Sequence, residues 1–169
     1  MRVVICNLGV FLPKILWLAI GDLDNDGDLD LVAGNRGYYD PQEGVYKRLN
    51  RIYLNDGQGN FPLEAGHPFG TGQHTITALA LGDMNGDGAL DLVMGTIGES
   101  NRVYLNDGQG NFPSEAGRSF GTGSDRTQAL AIGDMDSDGD LDLVVGNDSP
   151  FAGEGFQPES MVYLNDGDG

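Results

Sequence analysis

The chain has 169 residues, 28 of them glycine, with 39% hydrophobic residues and a formal net charge of −17. That is enough for one ordinary domain with its own core, and a charge this negative excludes nucleic acid as a natural partner. Half of the 26 acidic residues crowd into three short stretches, the pattern of a binding device and not of a solvated acidic tail.

The opening MRVVICNLGVFLPKILWLAI is apolar with Arg2 near its start, which raises the question of a secretory signal. Pro13 and Lys14 interrupt it, and its last residues align with the strand before the acidic stretch in the later copies. Residues 1–15 are therefore read as a non-repeat segment. Cys6 is the single cysteine, so no intrachain disulfide forms and the redox compartment stays open. No run reaches the ~18 to 20 uninterrupted apolar residues of a membrane span.

From Leu16 onward the chain repeats. GDLDNDGDLDLVAG, from Gly21, returns as GDMNGDGALDLVMG from Gly82 and GDMDSDGDLDLVVG from Gly133. YLNDGQGNF stands at Tyr53 and Tyr104, with YLNDGDG at Tyr163, and FGTG stands at Phe69 and Phe120. This divides the chain into units 16–76, 77–127 and a truncated 128–169. Each unit reads as apolar strand, Asp loop, apolar strand, variable loop, strand, NDG turn, strand. TALALGD (77–83), QALAIGD (128–134), LDLVMG (90–95) and LDLVVG (141–146) are short and apolar. RIYL (51–54) and RVYL (102–105) are β-branched and aromatic, and run into Asn-Asp-Gly, a tight-turn signal. No segment keeps a helical period, so the fold class is all-β. Four antiparallel strands in roughly 50 to 60 residues is the size of a β-propeller blade, preferred here over a solenoid or a sandwich.

The acidic stretch explains itself as an oxygen cage. Positions one, three, five and nine are Asp22, Asp24, Asp26 and Asp30 in the first unit. They are Asp83, Asn85, Asp87 and Asp91 in the second, and Asp134, Asp136, Asp138 and Asp142 in the third. Position seven is Asp28, Ala89 or Asp140, so a backbone carbonyl suffices there. Position six is Gly27, Gly88 or Gly139, where the backbone must turn sharply. Positions two (Leu23, Met84, Met135) and eight (Leu29, Leu90, Leu141) are apolar and expected to anchor the loop from beneath. Oxygen-only donors favour calcium over zinc, and flexible multi-carboxylate loops favour it over magnesium, giving about three Ca²⁺ ions, one per loop. An EF-hand needs a glutamate at position twelve, where this chain has Ala33, Met94 or Val145. Thrombospondin-type calcium repeats share the spacing but come with cysteines. Asp/Gly turns merely solvated in water are the bland alternative, and three copies at blade spacing weigh against it.

The Asp loop, the NDG turn and FGTG together resemble FG-GAP or VCBS-type repeats, the calcium-loaded propeller blades of which the integrin α-subunit head is an example. The resemblance covers Leu16 to Gly169. It implies a cation in each Asp loop, with the position-seven ligand coming from the backbone. It also implies a ring of about seven blades, which three units cannot close, so an incomplete propeller is expected.

In such a blade the Asp loops and NDG turns share one face, and the variable loops 35–50, 96–100 and 147–160 share the other. Loops that vary on a repeating scaffold are where recognition usually sits. Tyr38, Tyr39, Phe151 and Phe156 are candidate contacts for a protein or carbohydrate ligand, with Arg36 and Lys47 as polar partners. The same aromatics could equally pin long loops down. No HExxH, phosphate-binding loop or CxxC is present, and His67 and His74 do not recur, so no enzyme is expected.

The inner strands alternate small and large, as Ala78, Leu79, Ala80, Leu81 and Ala129, Leu130, Ala131, Ile132. Trp17 replaces an alanine in the first unit, and is expected to cover a side that lacks a neighbouring blade. The third NDG motif breaks off at Gly169, leaving that unit without an outer strand. Missing blades of a longer chain, or self-association, would fill such edges. The chain is thus read as a secreted or cell-surface calcium-binding propeller fragment used for ligand binding or adhesion. A passive scaffold, or the non-catalytic propeller part of a secreted enzyme, is the alternative.

Overall fold

In a computed structural model the described residues are 15–35, 38–47, 50–62, 66–70, 75–113, 117–123, 126–148 and 159–167. Every regular element among them is a β-strand. The first unit contributes β1 (Ile15–Gly21), β2 (Asp30–Asn35), β3 (Tyr38–Asp40), β4 (Val45–Lys47), β5 (Arg51–Tyr53) and β6 (His67–Pro68). The second contributes β7 (Ile76–Gly82), β8 (Asp91–Thr96), β9 (Asn101–Tyr104) and β10 (Arg118–Phe120). The third contributes β11 (Thr127–Gly133), β12 (Asp142–Asn147) and β13 (Met161–Tyr163). All pairings are antiparallel, giving sheets β1-β2-β5-β6, β7-β8-β9-β10 and β11-β12-β13. These are propeller blades in an unclosed row. The variable loop of the first unit carries its own hairpin, β3 with β4, pairing Tyr38 with Lys47 and Tyr39 with Tyr46.

The small/large alternation decides how the blades stack. Leu79 and Leu81 pack backward into the core shared with the first sheet, beside Val32, Ile52, Phe69, Leu92 and Met94. Ala80 faces forward into the core shared with the third sheet, where Leu130 and Ile132 meet Val93 and Val103. A Cβ on Gly21 would lie 2.6 Å from Leu90 Cδ1, and one on Gly34 would lie 3.1 Å from Leu79 Cδ1. The second interface repeats this: a Cβ on Gly82 would lie 3.1 Å from Ile132 Cγ2, and one on Gly95 would lie 2.7 Å from Thr127 Cγ2. Larger residues here would pry neighbouring blades apart. Each inner strand has a register shift near its start, between Ile15 and Trp17, Ile76 and Ala78, and Thr127 and Ala129. A bulge resets the alternation, so Ile76 faces backward over Gly34 together with Leu79.

Trp17 does not cover an unpaired side. It points forward with Ala19 and packs, half-buried, against the core shared with the four-stranded second blade of the same chain. Among the described residues the exposed side of the first blade is the opposite one, where Leu18 and Ile20 are 58% and 64% accessible. Sequence alternation pairs residues on a face but does not say which neighbour that face meets.

Candidate metal centre

The three acidic loops connect β1 to β2, β7 to β8 and β11 to β12. Side chain to backbone bonds curl each one. Asp22 accepts from the N–H groups of Asp26 (3.2 Å) and Gly27 (3.0 Å), and Asp83 from those of Asp87 (3.0 Å) and Gly88 (2.9 Å). Asp134 accepts from Ser137 (2.6 Å) and Gly139 (3.2 Å). Asp26, Asp87 and Asp138 each accept the N–H two residues on. Position six takes a positive φ, 92° at Gly27, 89° at Gly88 and 102° at Gly139. Position four does too, 59° at Asn25 and 66° at Ser137, which the sequence reading did not single out. Asn and Gly at that position were the available signal.

The curl makes carboxylates converge. One oxygen from each of Asp22, Asp24 and Asp26 lies within 4.8 Å of the others, and the same holds for Asp134, Asp136 and Asp138. Asp24 Oδ1 is buried and accepts no hydrogen bond among the described residues. Burial, then the charges of Asp30 and Asp26, pushes the Asp24 carboxyl above the usual aspartate range. Desolvation and Asp138 raise Asp136 likewise. In the middle loop Asn85 donates to Asp87 Oδ2 at 2.9 Å. The Ala89 N–H and this amide hold the Asp87 carboxyl below its usual value. Loops one and three concentrate uncompensated negative oxygen; loop two compensates part of its own.

Position nine acts first as a clamp. Asp30 accepts the N–H of Leu23 through one oxygen and of Asn55 through the other, both at 2.8 Å. Asp91 holds Met84 (2.9 Å) and Asn106 (2.8 Å), and Asp142 holds Met135 (2.7 Å) and Asn165 (2.9 Å). This ties the Asp loop to the NDG turn. Each oxygen keeps a second lone pair, so the clamp is compatible with contact to a cation. At position seven, Asp28 and Asp140 lie against Gly57 and Gly167 of the NDG turns, and Ala89 is buried against Gly108. Asp28 and Asp140 stand outside the convergent triads.

Position eight corrects the sequence reading. Leu90 and Leu141 do not prop their own loops; they reach back over Gly21 and Gly82 of the preceding blade. Position two does anchor its loop where another blade follows: Leu23 and Met84 are buried, while Met135 is exposed.

The NDG motif is a side-chain-built loop rather than a two-residue hairpin. Asn55 accepts from Gly57 and Gly59, and Asn106 from Gly108 and Gly110. Asp56 and Asp107 each accept from the backbone two and four residues on, and from Asn60 or Asn111. The asparagine also bridges blades, which the sequence reading missed. Asn106 Nδ2 donates to Leu23 O at 2.8 Å, and Asn165 Nδ2 to Met84 O at 2.7 Å, each carbonyl in the preceding unit's Asp loop. Asparagine recurring at one position was the signal.

These bonds depress Asp107, with the Asn111 amide as the main cause, below the ordinary aspartate value of 3.8. A depressed folded pKa means the contribution is complete above the unfolded value and fades as pH falls through the folded one. The Asp107 carboxyl is therefore expected to titrate below 3.8, with the Gln109 amide resonance following it. An NMR titration placing that midpoint at or above the ordinary value would contradict this loop assignment.

Tyr38 and Tyr39 lie on β3, at the blade end opposite the Asp loop; Phe151 and Phe156 fall outside the described residues. His67 sits on β6 opposite Ile52, exposed, and His74 is outside the described residues.

Comparison with known proteins agrees with this architecture. The FG-GAP-like repeat family matches residues 22–94 and 83–145, and the FG-GAP repeat matches 127–164. Phosphatidylinositol-glycan-specific phospholipase D of Rattus norvegicus is 32% identical over 180 aligned positions, covering 92% of this chain and 21% of the relative. The Mus musculus protein of that name is 32% identical over 179 positions with the same coverage. The chain thus spans about a fifth of the length of these relatives. With three blade units carrying the same acid loop, joined by two asparagine bridges across glycine-floored interfaces, the chain belongs to the FG-GAP-like repeat family.

Proposed function

We propose that this chain is a calcium-stabilised propeller segment that works outside the cell and offers its variable loops to a protein or carbohydrate ligand. One observation carries the calcium reading: an oxygen of Asp24 is buried without a hydrogen bond, inside a triad of carboxylates drawn together by backbone bonds. An all-oxygen donor set with neighbouring aspartates suits a hard divalent cation. Asp22, Asp24, Asp26 and Asp30 would hold it in the first loop, and Asp134, Asp136, Asp138 and Asp142 in the third. The ion would supply charge neutralisation and a cross-link. Calcium at extracellular concentrations fills sites of moderate affinity that the cytosol would leave empty, which motivates the location.

Calorimetric titration with calcium tests this. The expected result is saturable binding that weakens on Asp24→Asn, and absence of heat up to millimolar calcium would refute it. The middle loop is expected to bind most weakly, because Asn85 removes one carboxylate and already neutralises part of Asp87. Variants that keep a single intact loop rank the sites, and a middle loop equal to or tighter than the others contradicts the expectation.

The likeness to phosphatidylinositol-glycan-specific phospholipase D favours a second reading, in which the segment is the repeat portion of a larger lipid-directed hydrolase. The segment itself is proposed to be non-catalytic. Incubation with a phosphatidylinositol-glycan substrate should release no product, and turnover by this chain would overturn that.

A further inference from the structure

Asn85 and Gly86 form the only Asn-Gly pair in the chain, at positions three and four of the middle Asp loop. The first loop has Asp24 and Asn25 there, and the third has Asp136 and Ser137. Asparagine before glycine is the pair most prone to lose its side-chain amide. No Cβ shields the backbone nitrogen that attacks the amide carbon, and the backbone turns freely to bring it close.

The middle loop leaves that nitrogen accessible. Gly86 is exposed, and a Cβ on it would meet nothing within 4 Å. Its N–H donates to no oxygen among the described residues, whereas Asp134 holds the matching Ser137 N–H at 2.6 Å. The amide itself is oriented by Asp87. Asn85 Nδ2 donates to Asp87 Oδ2 at 2.9 Å, and Asn85 Oδ1 accepts the Asp87 N–H at 3.2 Å. The second bond polarises the carbonyl and supports the negative oxygen that forms when Cγ is attacked. Asn106 differs on both counts: aspartate follows it, and its amide is engaged by Leu23 O and Leu90 O.

We propose that Asn85 is a site of spontaneous deamidation, and that the reaction gives the middle loop the carboxylate it lacks. The Gly86 nitrogen gives its proton to solvent base and bonds to Asn85 Cγ. The Cγ–Nδ2 bond breaks, and Nδ2 takes a proton and leaves as ammonia. Water then opens the resulting succinimide, with no oxidant or reductant involved. Cleavage of the new Cγ–N bond restores the original backbone with aspartate at position three. Positions one, three, five and nine then match the first and third loops. Cleavage at the backbone carbonyl gives isoaspartate, which routes the chain through Cγ and lengthens the loop. The gain in calcium affinity rests on the proposed function. So does protection by calcium, because a cation on Asn85 Oδ1 would hold the side chain away from the Gly86 nitrogen.

Incubating the chain at mildly alkaline pH, in chelator or in calcium, tests this. Tandem mass spectrometry reads the mass gain of amide to acid at each asparagine, and isoaspartyl methyltransferase labels the rearranged product. In chelator, Asn85 should convert before every other asparagine, and calcium should slow it. Gly86→Ser copies a residue that the third loop carries at a φ of 66°, so the loop is kept. It should slow conversion about tenfold. Asn85→Asp, the product made directly, should bind calcium about tenfold more tightly in a variant that keeps only the middle loop. Conversion at Asn85 no faster than at Asn25, or no faster than in Gly86→Ser, overturns the modification. Unimproved binding by Asn85→Asp overturns the gain in affinity. A chain that binds calcium yet keeps Asn85 intact in chelator sinks this inference alone. A chain that takes up no calcium but still converts Asn85 refutes the proposed function and the gain in affinity, and establishes the modification.

Discussion

Asp91→Ala is expected to lower the unfolding free energy by about 3–6 kcal/mol, since it removes two charge-assisted hydrogen bonds at about 1.5–3 kcal/mol each. Asp91 is inaccessible and holds the N–H groups of Met84 and Asn106, both buried. Neither amide has water to turn to once the carboxylate is gone. Burial is severe enough to raise the Asp91 pKa despite those two bonds. The matching Asp142 makes the same pair of bonds but ends up depressed, with the Asn165 N–H as the leading cause. Asp142 is itself inaccessible, but its partner Met135 is exposed. Asp142→Ala should therefore cost less, about 1–3 kcal/mol, because the freed amides can be solvated. Urea denaturation of the two variants in chelator compares them without the metal contribution. Equal losses would mean that burial between blades does not govern the clamp.

Chelation of calcium is expected to lower the melting temperature by about 8–16 °C. Sites near 10⁻⁴ M, in the range of extracellular modules, contribute roughly 1.4 kcal/mol each in about 1 mM calcium. Three of them total about 4 kcal/mol, and a domain of this size shifts about 2–4 °C per kcal/mol. The metal-free protein should also respond to pH in the opposite sense from the loaded one. Asp24 and Asp136 have raised pKa values, so their repulsion is absent where they are protonated and grows as pH rises through those values. Without metal, acidification from neutral towards about pH 4 should relieve the loops and raise their share of stability. With calcium the same acidification should displace the ion and lower it. Scanning calorimetry at several pH values, with and without chelator, reads both trends. A metal-free protein whose loops gain nothing from mild acid, together with an unchanged melting temperature on chelation, would contradict the cation reading.

Much of this protein is local, and local features are legible in one dimension. Alternating aspartates with glycine at position six curl a loop whatever lies beyond it, because the carboxylates bond amides only two to five residues away. Short apolar runs on either side become strands of one antiparallel pair, and their recurrence makes blades. The NDG motif was legible as a turn, though its width and its side-chain scaffolding were not, since Asn55 and Asp56 organise the loop through bonds that spacing alone does not specify.

Recurrence and spacing are enough to establish the repeat, its all-β blades and the acidic loops in which a cation would sit. Which side of each strand meets which neighbour is settled only when the blades stack. Alternation sorts Leu79 from Ala80, but the two sides of an isolated strand are equivalent until another blade arrives. Stacking sent Trp17 forward into a core, carried Leu90 and Leu141 back over the glycines of the blade before, and drew Asn106 and Asn165 across to foreign carbonyls. These contacts join residues far apart in the chain, and their energy exists only when two blades exclude water between them.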